Sequence, residues 1–301
     1  MKNEKITITI GIPAYNEEKN ICSLLDVLID QKINTGTIEK IIVVSDGSID
    51  KTVDIVKSYD GHLIRIIDRK KRLGVNETLN EIFSLVKSDI LVIVNADVLP
   101  IGHNFIERLI APLIKDAQVG LVGGDYIAAR PKLLFEKIIL NSYKLKIHIG
   151  KQINDGRNVY MCYGGNRAFS KTFYSELRFP NKYPDDSFSY FECLRRGFKF
   201  VFEEKAKVKL RAPGTFQDHA NQSIRFIAGK RKLEEHFGKF IIDEGYFIPK
   251  KIYTKVILKF LFKDPFYTIS YLLITFLLRN SSKKAEFNTK WEIVKSTKNL
   301  S

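Results

Sequence analysis

Four times in the first hundred residues a short apolar run gives way to a segment of helical periodicity, and this alternation most narrows what the chain can fold into. Residues 6–12 alternate β-branched side chains and predict a strand ended by Pro13. A helix is predicted from about 17 to 30, with Ile21, Leu24, Leu25, Leu28 and Ile29 on one face. Residues 41–44 then form an apolar run of the kind buried on both faces of a parallel sheet. A helix over 52–59, a strand over 63–67, a helix over 76–86 and a strand over 90–94 follow. This order predicts an α/β fold, with an open, mostly parallel sheet flanked by helices and right-handed crossovers.

Ligands of such sheets bind outside the carboxyl ends of the strands. Here those ends carry residues 13–17 with Pro13, Tyr15 and Glu17, residues 46–50 with Asp46, and residues 95–97 with Asn95 and Asp97. Three strands deliver polar or acidic clusters to one rim. The second half is more mixed. It predicts a strand over 119–126, helices over 133–149 and 187–196, and strands near 199–202 and 208–211. A loop over 212–221 and a basic helix over 223–237 complete it.

At 301 residues the chain is near the limit for one hydrophobic core, so one main domain with an appendage is expected. Cys22, Cys162 and Cys193 are isolated and odd in number, which argues against a disulfide framework or a zinc site and fits a reducing compartment. No signal-peptide pattern precedes the first strand, so the catalytic part is expected in the cytoplasm. The net charge is +15, which suits a polyanionic partner or a phosphate-rich substrate.

The motifs resemble glycosyltransferase family 2, the inverting nucleotide-sugar enzymes of the GT-A fold, over roughly residues 6–240. They occur in the family's order: P-x-Y-N-E-E at 13–18, D-G-S-x-D-x-T at 46–52, R-L-G at 72–74 and N-A-D at 95–97. G-G-N-R-A-F at 164–169, D-D at 185–186 and Q-x-x-R-F at 222–226 follow. The resemblance implies a nucleotide-diphosphate sugar of UDP or GDP type as donor. Tyr15 would offer a face to the base and Asp46 a carboxylate to its N–H groups. Pro13 and Glu17 would lie nearby, Glu17 towards the ribose, and Arg72 and Arg225 would approach the diphosphate. Asp97 would ligate Mg²⁺ or Mn²⁺, hard cations that take oxygen donors and stabilise a leaving diphosphate. His219 is a candidate further ligand. Where the family usually has D-x-D, this chain has Asn95 first, which removes one charge.

Asp186 takes the place of the family's catalytic base, the carboxylate that accepts the acceptor hydroxyl's proton as it attacks. Asp185, Gln222 and Phe226 would border the acceptor and diphosphate; Phe226 stands where processive synthases of the family have Trp. Several of these residues also fit plainer readings: Asp46 and Ser48 as a turn and helix cap, Asp97 as a turn cap, Asp185 and Asp186 as an N-cap pair. Arg72 equally fits a solvated basic turn with Arg69, Lys70 and Lys71, and His219 a structural histidine.

Residues 250–301 hold eleven basic residues against Asp264, Glu286 and Glu292, a local net charge of +8. Lys251, Lys255, Lys259 and Lys263 recur every fourth position among apolar residues, as in helices lying in a membrane interface. After Pro265 the uncharged stretch 266–278 is too short, at about 20 Å as a helix, for a ~30 Å hydrocarbon core. The expected division is therefore a catalytic domain over 1–240 and a basic, apolar helical tail over 241–301. The tail would lie on the inner face of the cell membrane, near a glycan or lipid-linked acceptor, or else pack on the catalytic part or an oligomer partner. A nucleic-acid partner is disfavoured by the acidic rim. A sugar-1-phosphate nucleotidyltransferase is disfavoured because the first strand ends in residues 13–17 rather than a Gly-rich loop. The remaining alternative is an inactive relative that binds nucleotide sugars as a partner subunit.

Overall fold

The computed structural model describes residues 5–59 and 61–281, with side chains through Leu278. The chain runs β1 (Ile6–Ala14), α1 (Ile21–Ile29), β2 (Gly36–Ser45), α2 (Thr52–Lys57), β3 (Ile64–Asp68), α3 (Val75–Leu85) and β4 (Ile90–Val94). It continues through β5 (Leu99–Pro100), α4 (Phe105–Lys115), β6 (Val119–Ala128), α5 (Leu134–Gln152), β7 (Asn166–Ser170), α6 (Lys171–Tyr174), α7 (Asp185–Arg195) and β8 (Lys199–Leu210). Four helices follow, α8 (Phe216–Phe237), α9 (Lys239–Gly245), α10 (Lys250–Lys263) and α11 (Pro265–Ser281).

Among the described residues eight strands form one sheet, in the order β3-β2-β1-β4-β7-β6-β8-β5. The first four are mutually parallel, β7 runs antiparallel to both neighbours, and β6 and β8 are parallel again. Alternation along the strands splits the core into two layers. Ile8, Ile10, Ile12 and Val92 pack with α1 and α4, whereas Leu91 and Ile93 pack with α3, α6 and α7. Residues 90–94 are buried on both faces, which is why they read as an unbroken apolar run.

Several expected boundaries move. The first strand carries through Pro13 to Ala14, and the first helix starts at Ile21 because residues 17–20 form a turn. The loop expected over 212–221 is mostly helix. The Thr215 side chain accepts from the Asp218 N–H at 3.1 Å, a cap that starts α8 at Phe216. The two strands expected near 199–202 and 208–211 are one continuous β8, bent where its register against β6 shifts.

The helices α10 and α11 pack back on α5. Val256 and Phe260 are buried with Leu145 and Ile149, and Asn141 Nδ2 donates to Thr268 Oγ1 at 3.0 Å. Lys251, Lys255, Lys259 and Lys263 face outward. No helix among the described residues is long and apolar enough to cross a membrane. Residues 282–301, which carry part of the tail's charge, lie outside the described residues.

Candidate active site

Because β2, β1 and β4 are adjacent and parallel, the loops after them stand side by side at one rim. The first two are knitted together by their motif residues. Asn16, in the left-handed region at φ 52°, donates its N–H to Ser48 Oγ at 3.0 Å and accepts from the Ile49 N–H at 2.9 Å through Oδ1. The Glu17 N–H donates to Thr52 Oγ1 at 2.7 Å, and the buried Glu17 carboxylate accepts from Asn20 Nδ2 at 2.9 Å. Ser48 and Thr52 thus hold one motif loop against the other.

Asp46 is buried and organises the loop after β3. Its oxygens accept from the Leu73 and Gly74 N–H groups, both at 2.8 Å, and from Arg69 Nη1 at 3.3 Å. Gly47 has φ 75°, and a Cβ there would stand 2.9 Å from the Arg72 backbone nitrogen, so only glycine lets this loop close in. The closed loop places the Arg72 guanidinium 3.9 Å from the Tyr15 ring centroid, a cation–π contact on one face of that ring. Arg72 thus packs against the rim, whereas Lys70 and Lys71 of the same turn are exposed.

The antiparallel strand β7 brings a further motif to the same rim. The Asn95 N–H donates to Gly165 O at 3.0 Å, and a Cβ on Gly164 would meet Asp185 and Asp186 at ordinary contact distance, 3.6 Å. From β7 the fully buried Arg167 reaches α7, with Nη2 on Asp185 Oδ2 at 2.5 Å and Nη1 on Asp185 O at 3.0 Å and Ser189 Oγ at 2.9 Å. This role of Arg167 is not assigned by the sequence reading above. Its signal is a cation next to the apolar pair Ala168–Phe169 in a short strand, which once buried demands an acidic partner.

Asp186 follows at the first turn of α7, where Oδ1 accepts from the Ser187 N–H at 2.6 Å. Burial, with the neighbouring Asp185 charge second, pushes its carboxyl up to about 6, against the opposing pull of Arg167. Burial likewise raises the Asp97 carboxyl, opposed by Arg225. Arg225 in turn interacts with Asp97, Asp186 and Asp185, although burial lowers it to about 10. One arginine thus lies within electrostatic reach of three carboxylates from two motifs.

Asp186, Gln222, Phe226 and His219 meet in one cavity of about 930 Å³. Tyr126 and Tyr163 also line it, their ring centroids 4.9 Å apart. His219 is buried, its Nε2 lies 3.4 Å from Ser223 Oγ, and its Nδ1 has no hydrogen-bond partner among the described residues. Burial lowers it to about 4, so it is neutral at physiological pH. Among the described residues no group of three or more His, Cys, Asp or Glu side chains gathers to hold a metal ion.

The half-parallel sheet, its flanking helices and its acid-bearing rim are those of the GT-A fold. Residues 9–178 match the Glycosyl transferase family 2 model, and the chain belongs to that family. The 4,4'-diaponeurosporenoate glycosyltransferase of Staphylococcus aureus (strain bovine RF122 / ET3-1) is 26% identical over 162 residues, covering 52% of this chain and 42% of that protein. The chain thus spans about two fifths of the length of the curated relatives it matches.

Among solved structures, the mannosyltransferase PcManGT of Pyrobaculum calidifontis, in complex with GDP-Man and Mn²⁺, aligns over 92% of this chain and 83% of its own. Its TM-score is 0.62 at 17% identity. Glucosyl-3-phosphoglycerate synthase of Mycobacterium tuberculosis, with Mn²⁺, UDP and phosphoglyceric acid, aligns over 74% of this chain and 77% of its own. Its TM-score is 0.54 at 20% identity. At these identities the likeness is one of fold.

Proposed function

We propose that this protein is an inverting glycosyltransferase that moves a sugar from a UDP- or GDP-type donor to an acceptor hydroxyl, with Asp186 as base. The observation that carries this reading is the pair Asp185–Asp186. Arg167 immobilises the first carboxylate, while burial raises the second to about 6, so that it is ionised at neutral pH yet basic enough to take a proton. The hydroxyl oxygen bonds to the anomeric carbon from the side opposite the leaving nucleoside diphosphate, and its proton passes to Asp186.

Tyr15 would hold the base, and Arg72, stacked on the Tyr15 ring, would reach towards the diphosphate, with Pro13, Glu17 and Asp46 shaping that end of the rim. Asp46 does so by fixing the Arg72 loop, since its oxygens already accept from Leu73, Gly74 and Arg69. Asn95 and Arg225 would meet the diphosphate, with Gln222 and Phe226 on the acceptor side. The GDP-Man and UDP complexes of the two structural neighbours favour such a donor.

The site suits Mg²⁺ or Mn²⁺ in the chemistry of its donors. Asp97 is a hard oxygen donor whose charge burial disfavours, so a divalent cation would relieve it. Diphosphate oxygens and water would complete the shell, and neutral His219 has a nitrogen to offer. Bound there, the cation supplies Lewis-acid stabilisation of the departing diphosphate.

Residues 1–240 would be the catalytic part. Residues 241–301, whose helices α10 and α11 pack on it through Val256, Phe260 and Thr268, would hold the enzyme at the inner face of an anionic membrane, near a lipid-linked or envelope glycan acceptor. A thermal-shift panel of UDP-, GDP- and dTDP-sugars with and without Mn²⁺ tests the donor reading, because a bound ligand stabilises by mass action. A metal-enhanced shift with UDP- or GDP-sugars is expected. No shift with any of them would refute it.

A further inference from the structure

We infer that the acceptor is a neutral, hydroxyl-bearing lipid whose apolar chain lies in the cavity between α5, α8 and α11. The inference rests on the transferase reading above and names its acceptor class. At about 930 Å³ the cavity is at the upper end of the ~300–1,000 Å³ usual for small-molecule sites. Asp186 stands on its lining, and much of the remaining wall is apolar, including Val159, Met161, Ile257, Leu272 and Leu278. A sugar pressed against such walls would lose water from its hydroxyls without gaining hydrogen bonds, whereas an alkyl chain gains by leaving water.

Helix α11 is apolar on both sides. Tyr271, Leu272, Thr275 and Leu278 line the cavity, while Phe266, Ile269, Leu273, Phe276 and Leu277 are at least half exposed on the other side. A helix apolar all round is ordinarily buried on all sides. Here a lipid surface against the outer side and a lipid chain against the inner side satisfy both. The charges select the head group. The lining carries two carboxylates, Asp125 and Asp186, and two cations, Lys146 and Arg231, so it offers no net charge to hold an ionised head. An ionised phosphate would also bring no proton for Asp186 to take. A hydroxyl brings one: its oxygen forms the new bond to the anomeric carbon and the proton goes to Asp186. The anomeric carbon–oxygen bond to the diphosphate breaks, with the electron pair leaving on the nucleoside diphosphate.

The test is direct binding by calorimetry to the full chain, using butyl, hexyl and octyl β-glucosides below their micelle concentrations, and octyl phosphate. The dissociation constant is expected to fall about three- to fourfold per added methylene, and octyl phosphate to bind more weakly than octyl glucoside. Leu272→Trp, which fills the cavity, should flatten the chain-length dependence. Thr275→Trp should do the same from a half-exposed position where folding is least at risk. A flat dependence in the unaltered protein, an undiminished one in both tryptophan variants, or a preference for the phosphate would overturn the inference. Nucleotide binding with a flat dependence would refute the lipid acceptor alone. A steep dependence without nucleotide binding would refute the transferase reading and, with it, the acceptor role.

Discussion

Arg167, fully buried in β7, holds Asp185 at the start of α7 by both its side chain and its carbonyl. Two motifs eighteen residues apart are thereby locked together, and the backbone that carries Asp186 is fixed to the sheet. Arg167→Ala should destabilise the protein by about 3–5 kcal/mol, the usual result of leaving a buried charge without its partner. Arg167→Lys should cost less but still displace Asp186, because a single ammonium cannot span the carboxylate, the carbonyl and Ser189. Urea unfolding of the two variants checks this; unchanged midpoints would show that the pair has no structural role.

Asp186→Asn should lower kcat by about 10²–10⁴ while leaving donor affinity within a few-fold. With its carboxyl at about 6, kcat/KM should rise tenfold per pH unit below that value and level off above it. The same shift has an opposite consequence for stability. The folded state holds this proton more tightly than the unfolded chain, so the contribution is full below about pH 4 and lost as pH rises through about 6. Asp186→Asn should therefore raise Tm at pH 7–8 relative to the unaltered protein, and this advantage should vanish near pH 4. Near-normal turnover, or a product with retained anomeric configuration, would count against the base assignment.

The lysine stripe on α10 should matter for membranes and not for chemistry. Changing Lys251, Lys255, Lys259 and Lys263 to Gln should weaken partitioning onto anionic vesicles by about fivefold per lysine at low salt. High salt should shrink that difference. Co-sedimentation with anionic and neutral liposomes at two salt concentrations measures both. An intact protein that stays in the supernatant throughout would make α10 and α11 packing elements only.

The parallel half of the fold was legible because strands buried on both faces read as apolar runs, and residues 90–94 match their prediction residue for residue. The rim was legible for the same reason: polar clusters must stand where such strands end. What the sequence concealed depends on distant partners. Asp46 reads as a base-binding carboxylate, yet its oxygens are engaged by a loop some thirty residues on, through backbone N–H groups that leave no trace in side-chain pattern. Helix α4 lies in a stretch the reading left unassigned, although Phe105, Ile106, Leu109, Ile110 and Leu113 have helical spacing; Pro112 near its end masks the pattern. The cavity beside Asp186 was not legible at all. It arises where α11 folds back on α5, a packing that neither helix announces in its own sequence.

The central claim is metal-assisted nucleotide binding at Asp97, and calorimetric titration of UDP and GDP into the unaltered protein and Asp97→Ala tests it most directly. The account predicts that Mn²⁺ tightens binding of at least one nucleotide to the unaltered protein, that EDTA abolishes this gain, and that Asp97→Ala shows none of it. Equal affinity with Mn²⁺ and with EDTA, in both proteins, would contradict it.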